Sequence, residues 1–314
     1  MLNVNIKKTI LFSHYKAEFF LFLATILWGG TFPVIKVGLE WIDPYFLIFL
    51  RFLIAFLILN IVLIIKRNIL KTYLLKYRIL INGMILGLIG FFSYLTQTYG
   101  LQYTTPSRSA FITQTLIIFV YLFQFIFLKK VVTRNQWLSL IIIILGSYIL
   151  FFGFRFKDIF SSNTLKGDIY TLFCAIGFAL YIVLIDQIKK DEFLSIIYIH
   201  FLVIVILSFI WIYNYSITLM NLNLISIGAI FYLSIPATLI TTLILFYFQP
   251  KVTPVKASII YALEPVFATI FSILFLKSIY TLQDFLGSSL IFLGSIIGEI
   301  NSLKFNKNSI NKVK

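Results

Sequence analysis

Ten apolar stretches, each of 18 residues or more, follow one another along this chain at 19–37, 45–65, 79–99, 107–128, 136–153, 167–186, 193–213, 224–248, 256–276 and 281–300. A helix rising about 1.5 Å per residue crosses roughly 30 Å of hydrocarbon in about 20 residues, so each stretch predicts a transmembrane helix. Only 12% of the residues are charged and 61% are hydrophobic, where a soluble domain carries about 25% charged residues. No length remains for a soluble catalytic domain. The first apolar run follows Lys16 and continues past Trp28 with no small-residue cleavage site, so it is expected to stay as a helix rather than leave as a signal peptide.

The net charge of +15 is not gathered into one basic patch, which argues against a nucleic-acid partner. Lys and Arg alternate by loop instead: 19 lie on the side of the amino terminus and 5 on the other, with Lys36 and Arg51 inside stretches. The positive-inside rule therefore puts both termini in the cytoplasm. One cysteine, Cys174, excludes an internal disulfide and reads as a small packing residue.

Residues 103–149 recur as 251–297 without a gap, at an offset of 148, with 15 of 47 pairs identical. Among these are Thr105/Thr253, Pro106/Pro254, Lys129/Lys277, Gly146/Gly294 and Ser147/Ser295. The polar, charged segment 154–166 divides the stretches five and five. Five is odd, so the second half must enter the membrane from the opposite face. The expected fold is an all-α integral membrane protein of ten transmembrane helices in two inverted five-helix repeats. Its parts are a cytoplasmic segment 1–18, repeats at 19–153 and 167–300, an external linker 154–166 and a basic, disordered cytoplasmic tail 301–314. Duplicated halves of this kind are typical of transporters, with the substrate near the midplane between repeats and access alternating by rocking one bundle against the other.

The run Trp28, Gly29, Gly30, Thr31, Phe32, Pro33, followed by Lys36, resembles the opening of the EamA-type family of the drug/metabolite transporter superfamily. Asp43-Pro44, Arg51-Phe52, Gly167-Asp168 with Ala175, Phe178 and Ala179, and Pro254, Ala257, Leu263, Glu264 and Pro265 follow in the family's order. The resemblance implies a carrier of small metabolites or drugs, such as amino acids or related compounds, across an inner membrane, with export favoured over uptake. Two positions depart from the pattern. Tyr121 stands where a fourth-helix proline is expected, which argues against a bend there, and Phe178 replaces a tryptophan, which should preserve most of the packing.

Glu264 is the leading candidate for a substrate or coupling role. A carboxylate at mid-span costs on the order of 3 kcal/mol on insertion scales, so it faces a polar cavity or is locked to a neighbouring helix. Pro265 beside it frees backbone carbonyls. Arg51 either pairs with an acid or holds an anionic substrate group. Lys36 is expected to snorkel to the outer interface. Gly29, Gly30 and Pro33 allow close contact and a bend in the first helix, where Trp28 and Thr31 stand. Gln97, Gln114 and Tyr261 serve interhelical hydrogen bonds or line a pocket. His200 is either a hydrogen-bonded interior imidazole or a proton relay. Asp186, Asp284 and Glu299, near the ends of their stretches, are expected to face headgroups or water.

An enzyme is not expected. There is no His-Glu-x-x-His motif, two histidines and one cysteine build no metal site, and no second mid-span aspartate forms an acid pair. No cofactor is called for, and no Walker loop is present to supply nucleotide energy. The expected partners are a small-molecule substrate, the lipid bilayer and protons for coupling, with the oligomeric state undetermined. A non-transporting polytopic scaffold or receptor is the competing class.

Overall fold

The computed structural model describes residues 15–65, 76–104, 106–152, 165–189, 191–214, 221–276 and 281–311. The segments 1–14 and 312–314, and nearly all of the linker expected at 154–166, lie outside them. Every regular element among the described residues is helical. In order these are α1 (Lys16–Gly29), α2 (Thr31–Gly38), α3 (Pro44–Ile65), α4 (Tyr77–Tyr103), α5 (Pro106–Gln114), α6 (Leu116–Leu128) and α7 (Arg134–Phe152). They continue as α8 (Leu165–Ile185), α9 (Phe193–Asn214), α10 (Leu224–Ser234), a π-helical turn (Ile235–Ile240), α11 (Thr241–Phe248), a 3-10 turn (Gln249–Lys251), α12 (Pro254–Tyr261), α13 (Glu264–Leu276) and α14 (Leu282–Asn311).

Helices occupy all ten apolar stretches. By length and hydropathy, eight helical segments among the described residues are sufficient to cross a membrane, while the apolar runs Arg134–Leu150 and Phe285–Gly298 are shorter. The last helix runs on to Asn311, so most of the tail expected to be disordered is helical.

Four stretches are interrupted rather than straight, and the interruptions follow from local chemistry. The first breaks at Gly30, with Pro33, which has no N–H to donate, in the first turn of α2. The eighth widens into its π turn at Ile235-Pro236. The ninth breaks before Glu264-Pro265. The fourth breaks at Thr115, whose hydroxyl donates to Ile112 O at 2.6 Å. That break needs no proline, because the threonine side chain competes for the backbone; α6 runs unbroken through Tyr121, where no bend is expected. Tyr121 itself donates to Gln136 O at 2.7 Å.

Several helices of the first half pack directly on their counterparts of the second, and these pairs run antiparallel. Along α3 and α9, Tyr45 faces Trp211, Phe52 faces Phe201 and Phe56 faces Tyr198. Along α7 and α14 the backbones nearly touch: a Cβ at Gly146 would stand 2.8 Å from Ile291 N, and one at Gly294 would stand 2.8 Å from Ile143 Cγ1. Ile143/Ile291 and Gly146/Gly294 are themselves partners at the offset of 148, so one contact is the image of the other.

Candidate substrate site

The interrupted helices meet around an internal cavity of about 60 Å³. Thr31 Oγ1 donates to Trp28 O at 2.7 Å, satisfying a carbonyl at the break between α1 and α2. Gly30 has no side chain, and this lets Tyr232 reach in and donate to Leu27 O at 2.6 Å. Both bonds hold open a helix end that would otherwise leave buried carbonyls unpaired.

Arg51 projects from α3 against the π turn. Its Nε donates to Thr238 Oγ1 at 2.6 Å and Nη2 to Ala237 O at 3.4 Å, and the guanidinium carbon lies 4.6 Å from the Tyr94 ring centroid. Arg51 is 3% exposed and takes part in none of the ion pairs among the described residues. The acid partner that one reading of the sequence called for is absent there, and neutral groups hold the cation instead.

Glu264 begins α13, where the helix dipole favours a negative charge. It is 7% exposed. Gln114 Nε2 donates to its Oε2 at 3.5 Å, the outer limit of a hydrogen bond, and no cation is paired with it among the described residues.

Trp28, Thr31, Arg51, Gln97, Tyr261 and Glu264 all line the one cavity. Gln114 reaches it through Glu264. Tyr261 contributes its ring, edge-on to Trp28 at 5.2 Å, while its hydroxyl turns away to donate to Gln249 Oε1 at 3.1 Å. His200 is not in the lining and stands behind Tyr181, which is. Phe178 packs edge-on to Tyr94 at 5.0 Å and also faces the cavity. Reasoning from sequence missed Tyr94, Tyr181 and Thr238. For Thr238 a signal existed: Pro236 inside the eighth apolar stretch, with Thr238, Thr241 and Thr242 just after it.

Two larger grooves, of about 320 and 530 Å³, lie elsewhere, but their linings are almost wholly apolar and lack the converging polar groups of the central cavity. Lys36 is tied to a helix end. Its Nζ donates to Leu101 O at 2.7 Å and Thr104 O at 3.2 Å, capping the carboxyl end of α4. Asp186 is not simply turned to headgroups, because it accepts from Lys130 at 2.7 Å with its side chain 10% exposed. The side chains of Asp284 and Glu299 lie outside those described. Cys174 is fully buried.

The EamA-like transporter family matches this sequence twice, over residues 15–152 and 165–298. The chain belongs to that family. A relative from Archaeoglobus fulgidus, described as an uncharacterized transporter, is 29% identical over 283 residues, covering 90% of this chain and 85% of the relative. The uncharacterized transporter YoaV of Bacillus subtilis is 25% identical over 306 residues, covering 91% and 96%. A crystal structure of a protein only 15% identical shares this fold with a TM-score of 0.75, over 92% of this chain and 98% of that one. This is a multi-pass membrane protein of a transporter family, not an enzyme.

Proposed function

We propose that the protein is a secondary transporter that moves a small metabolite across the inner membrane by alternating access, with export favoured and both termini cytoplasmic. Its ten helices form two inverted repeats. The cavity carries the reading: Arg51 and Glu264 face it with opposite charges, and each is held only by neutral groups among the described residues. Burying a charge without an opposite partner is costly. A substrate bearing both an anionic and a cationic group, as an amino acid does, relieves both costs at once. Protons acting through Glu264, or the substrate's own gradient, drive the movement.

The cavity of about 60 Å³ has room for only a few waters, so loading requires the bundle to open. The antiparallel packing of α3 on α9 and of α7 on α14 supports the inverted arrangement. So do two ion pairs joining helix starts. Asp168 at the start of α8 meets Arg108 on α5 at 2.6 Å, and Glu18 at the start of α1 meets Lys256 on α12 at 2.7 Å. Glu18 and Asp168 are each the fourth residue of their EamA match, and Arg108 and Lys256 are partners at the offset of 148. Under inversion the pairs close opposite ends of the cavity, and opening one while keeping the other is alternating access.

The test compares metabolites inside and outside cells with and without the protein, followed by flux of the compounds that differ in liposomes. Saturable flux that Glu264→Gln abolishes or frees from pH supports the proposal. Wild-type flux at every pH in correctly folded Glu264→Gln and Glu264→Ala overturns the role of Glu264. No flux for any compound, with a stable partner copurifying, favours a scaffold.

A further inference from the structure

Tyr181 on α8 lines the cavity, and its hydroxyl lies 3.1 Å from Nε2 of His200 on α9. His200 is fully buried, with its ring among those of Phe52, Phe201 and Phe246 at centroid distances of 6.5, 5.3 and 5.7 Å. Gly90 closes another side: a Cβ there would stand 2.9 Å from Nε2, so a side chain at that position would displace the imidazole. Nδ1 has no hydrogen-bond partner among the described residues.

These contacts decide where the imidazole hydrogen sits. Charging the ring in apolar surroundings with no carboxylate in contact is unfavourable, so it is neutral, with one N–H and one bare nitrogen. A hydrogen on Nδ1 would be a buried donor with no acceptor, the rarer kind of defect in a folded interior. A hydrogen on Nε2 points at the Tyr181 oxygen. That oxygen then accepts, and the tyrosine's own O–H is left without a protein acceptor among the described residues, at the cavity wall.

We propose that His200 is a positioning residue: by donating through Nε2 it makes the Tyr181 hydroxyl a donor to the cavity, where it receives an acceptor oxygen of the transported compound. The substrate contact rests on the transporter reading. The state of the imidazole does not, and the two are tested separately.

His14 and His200 are the only histidines. In full-length His14→Gln protein labelled with 15N-histidine in lipid nanodiscs, NMR reads a single imidazole. The expected spectrum is a neutral ring protonated on Nε2, whose Nε2 resonance moves in Tyr181→Phe. Protonation on Nδ1, or on both nitrogens, overturns the positioning role without any variant at His200. In liposomes, with the metabolite singled out by the comparison above, Tyr181→Phe should raise KM roughly three- to tenfold, the worth of one hydrogen bond, with kcat little changed. His200→Gln, whose amide nitrogen reaches the place of Nε2, should keep the wild-type KM. His200→Asn, whose nitrogen falls nearer Nδ1, should match Tyr181→Phe. An unchanged KM in Tyr181→Phe overturns the substrate contact even when the tautomer is as expected. Absence of flux for every compound overturns the contact together with the transporter reading, and leaves the NMR result to decide the tautomer.

Discussion

The two EamA copies break their fourth helices at equivalent positions and fill the breaks differently. Thr115 and Leu263 stand 148 residues apart, α5 giving way to α6 around the first and α12 to α13 around the second. The first copy makes its break with a threonine hydroxyl, the second with Pro265 close behind. Leu116 and Glu264 then look into one cavity from matching places, one apolar and one acidic. The cation is just as unshared: Arg51 comes from the first copy, and α9, its counterpart element, contains no Lys or Arg. Duplication supplied the backbone twice, while the charge was divided between the copies. The cavity thus has a polarity that neither half has alone.

Making the halves alike should have the largest effect. Glu264→Leu gives the second copy the residue of the first and leaves Arg51 facing an uncharged wall. Transport should fall on the order of 100-fold, the rate equivalent of about 3 kcal/mol for a mid-membrane carboxylate that has a use. Initial rates in liposomes measure this. Adding Leu116→Glu to that variant returns a carboxylate at the matching place in the first copy, on the same helix pair as Gln114. Recovery to more than half of the wild-type rate would break the comparison, because it would make the location of the charge irrelevant.

Arg51→Lys asks the same question of the first copy. It keeps the charge and loses the planar fork that reaches Thr238 Oγ1 and Ala237 O together. The expected loss is about tenfold, read mainly in KM, and Thr238→Ala should reproduce part of it.

The sequence disclosed these two charges more readily than what holds them. Apolar length alone located the ten helical stretches, all but the last to within a few residues, and the rarity of charge inside them pointed to Arg51 and Glu264. Neighbour relations were not legible. Helices that are apolar all round, such as α3 and α9, carry almost no amphipathic signal to say which face meets which neighbour. Thr238 therefore could not be matched to Arg51, 187 residues away. Nor could Lys36 be assigned to the carbonyls of Leu101 and Thr104, because snorkelling and capping ask the same of the sequence. The break at Thr115 was hidden for another reason: threonine bends helices by a local bond that depends on its rotamer, whereas proline does so by its covalent structure.

The two ion pairs extend the comparison to the ends of the bundle, and there the copies differ in strength rather than in kind. Asp168 receives Arg108 through Nε and Nη2 together and Thr104 Oγ1 at 3.1 Å. Glu18 receives Lys256 at Oε1, and its Oε2 is buried with no hydrogen-bond partner. A bidentate arginine pair is the stronger of the two. The Glu18 end should therefore open more readily. Cys174, the single cysteine, is buried on α8 one turn from Phe178, which lines the cavity, so a reagent reaches it only when the bundle opens. Labelling by a membrane-impermeant thiol reagent should rise severalfold from the Asp168 face in Asp168→Asn, and less from the opposite face in Glu18→Gln. Equal increases would erase the asymmetry between the copies. An increase from the same face in both variants would sink the assignment of the pairs to opposite ends.

The smallest effect is expected where the halves reach one geometry by different means. Thr115→Val keeps the shape of the side chain and removes the hydroxyl that donates to Ile112 O. One local hydrogen bond contributes about 1 kcal/mol, and part of the loss is recovered when α5 and α6 approach a continuous helix. The midpoint of thermal unfolding should move by only a few degrees. Transport should slow about two- to threefold, because straightening the α5–α6 break shifts Gln114 relative to Glu264. Pro265→Ala in the second copy restores the missing N–H and lets α12 and α13 likewise approach a continuous helix, and should slow transport by a similar factor. If Thr115→Val instead abolishes transport while Pro265→Ala does not, the break in the first copy does more than mirror that of the second, and the division between shared backbone and unshared charge is drawn in the wrong place.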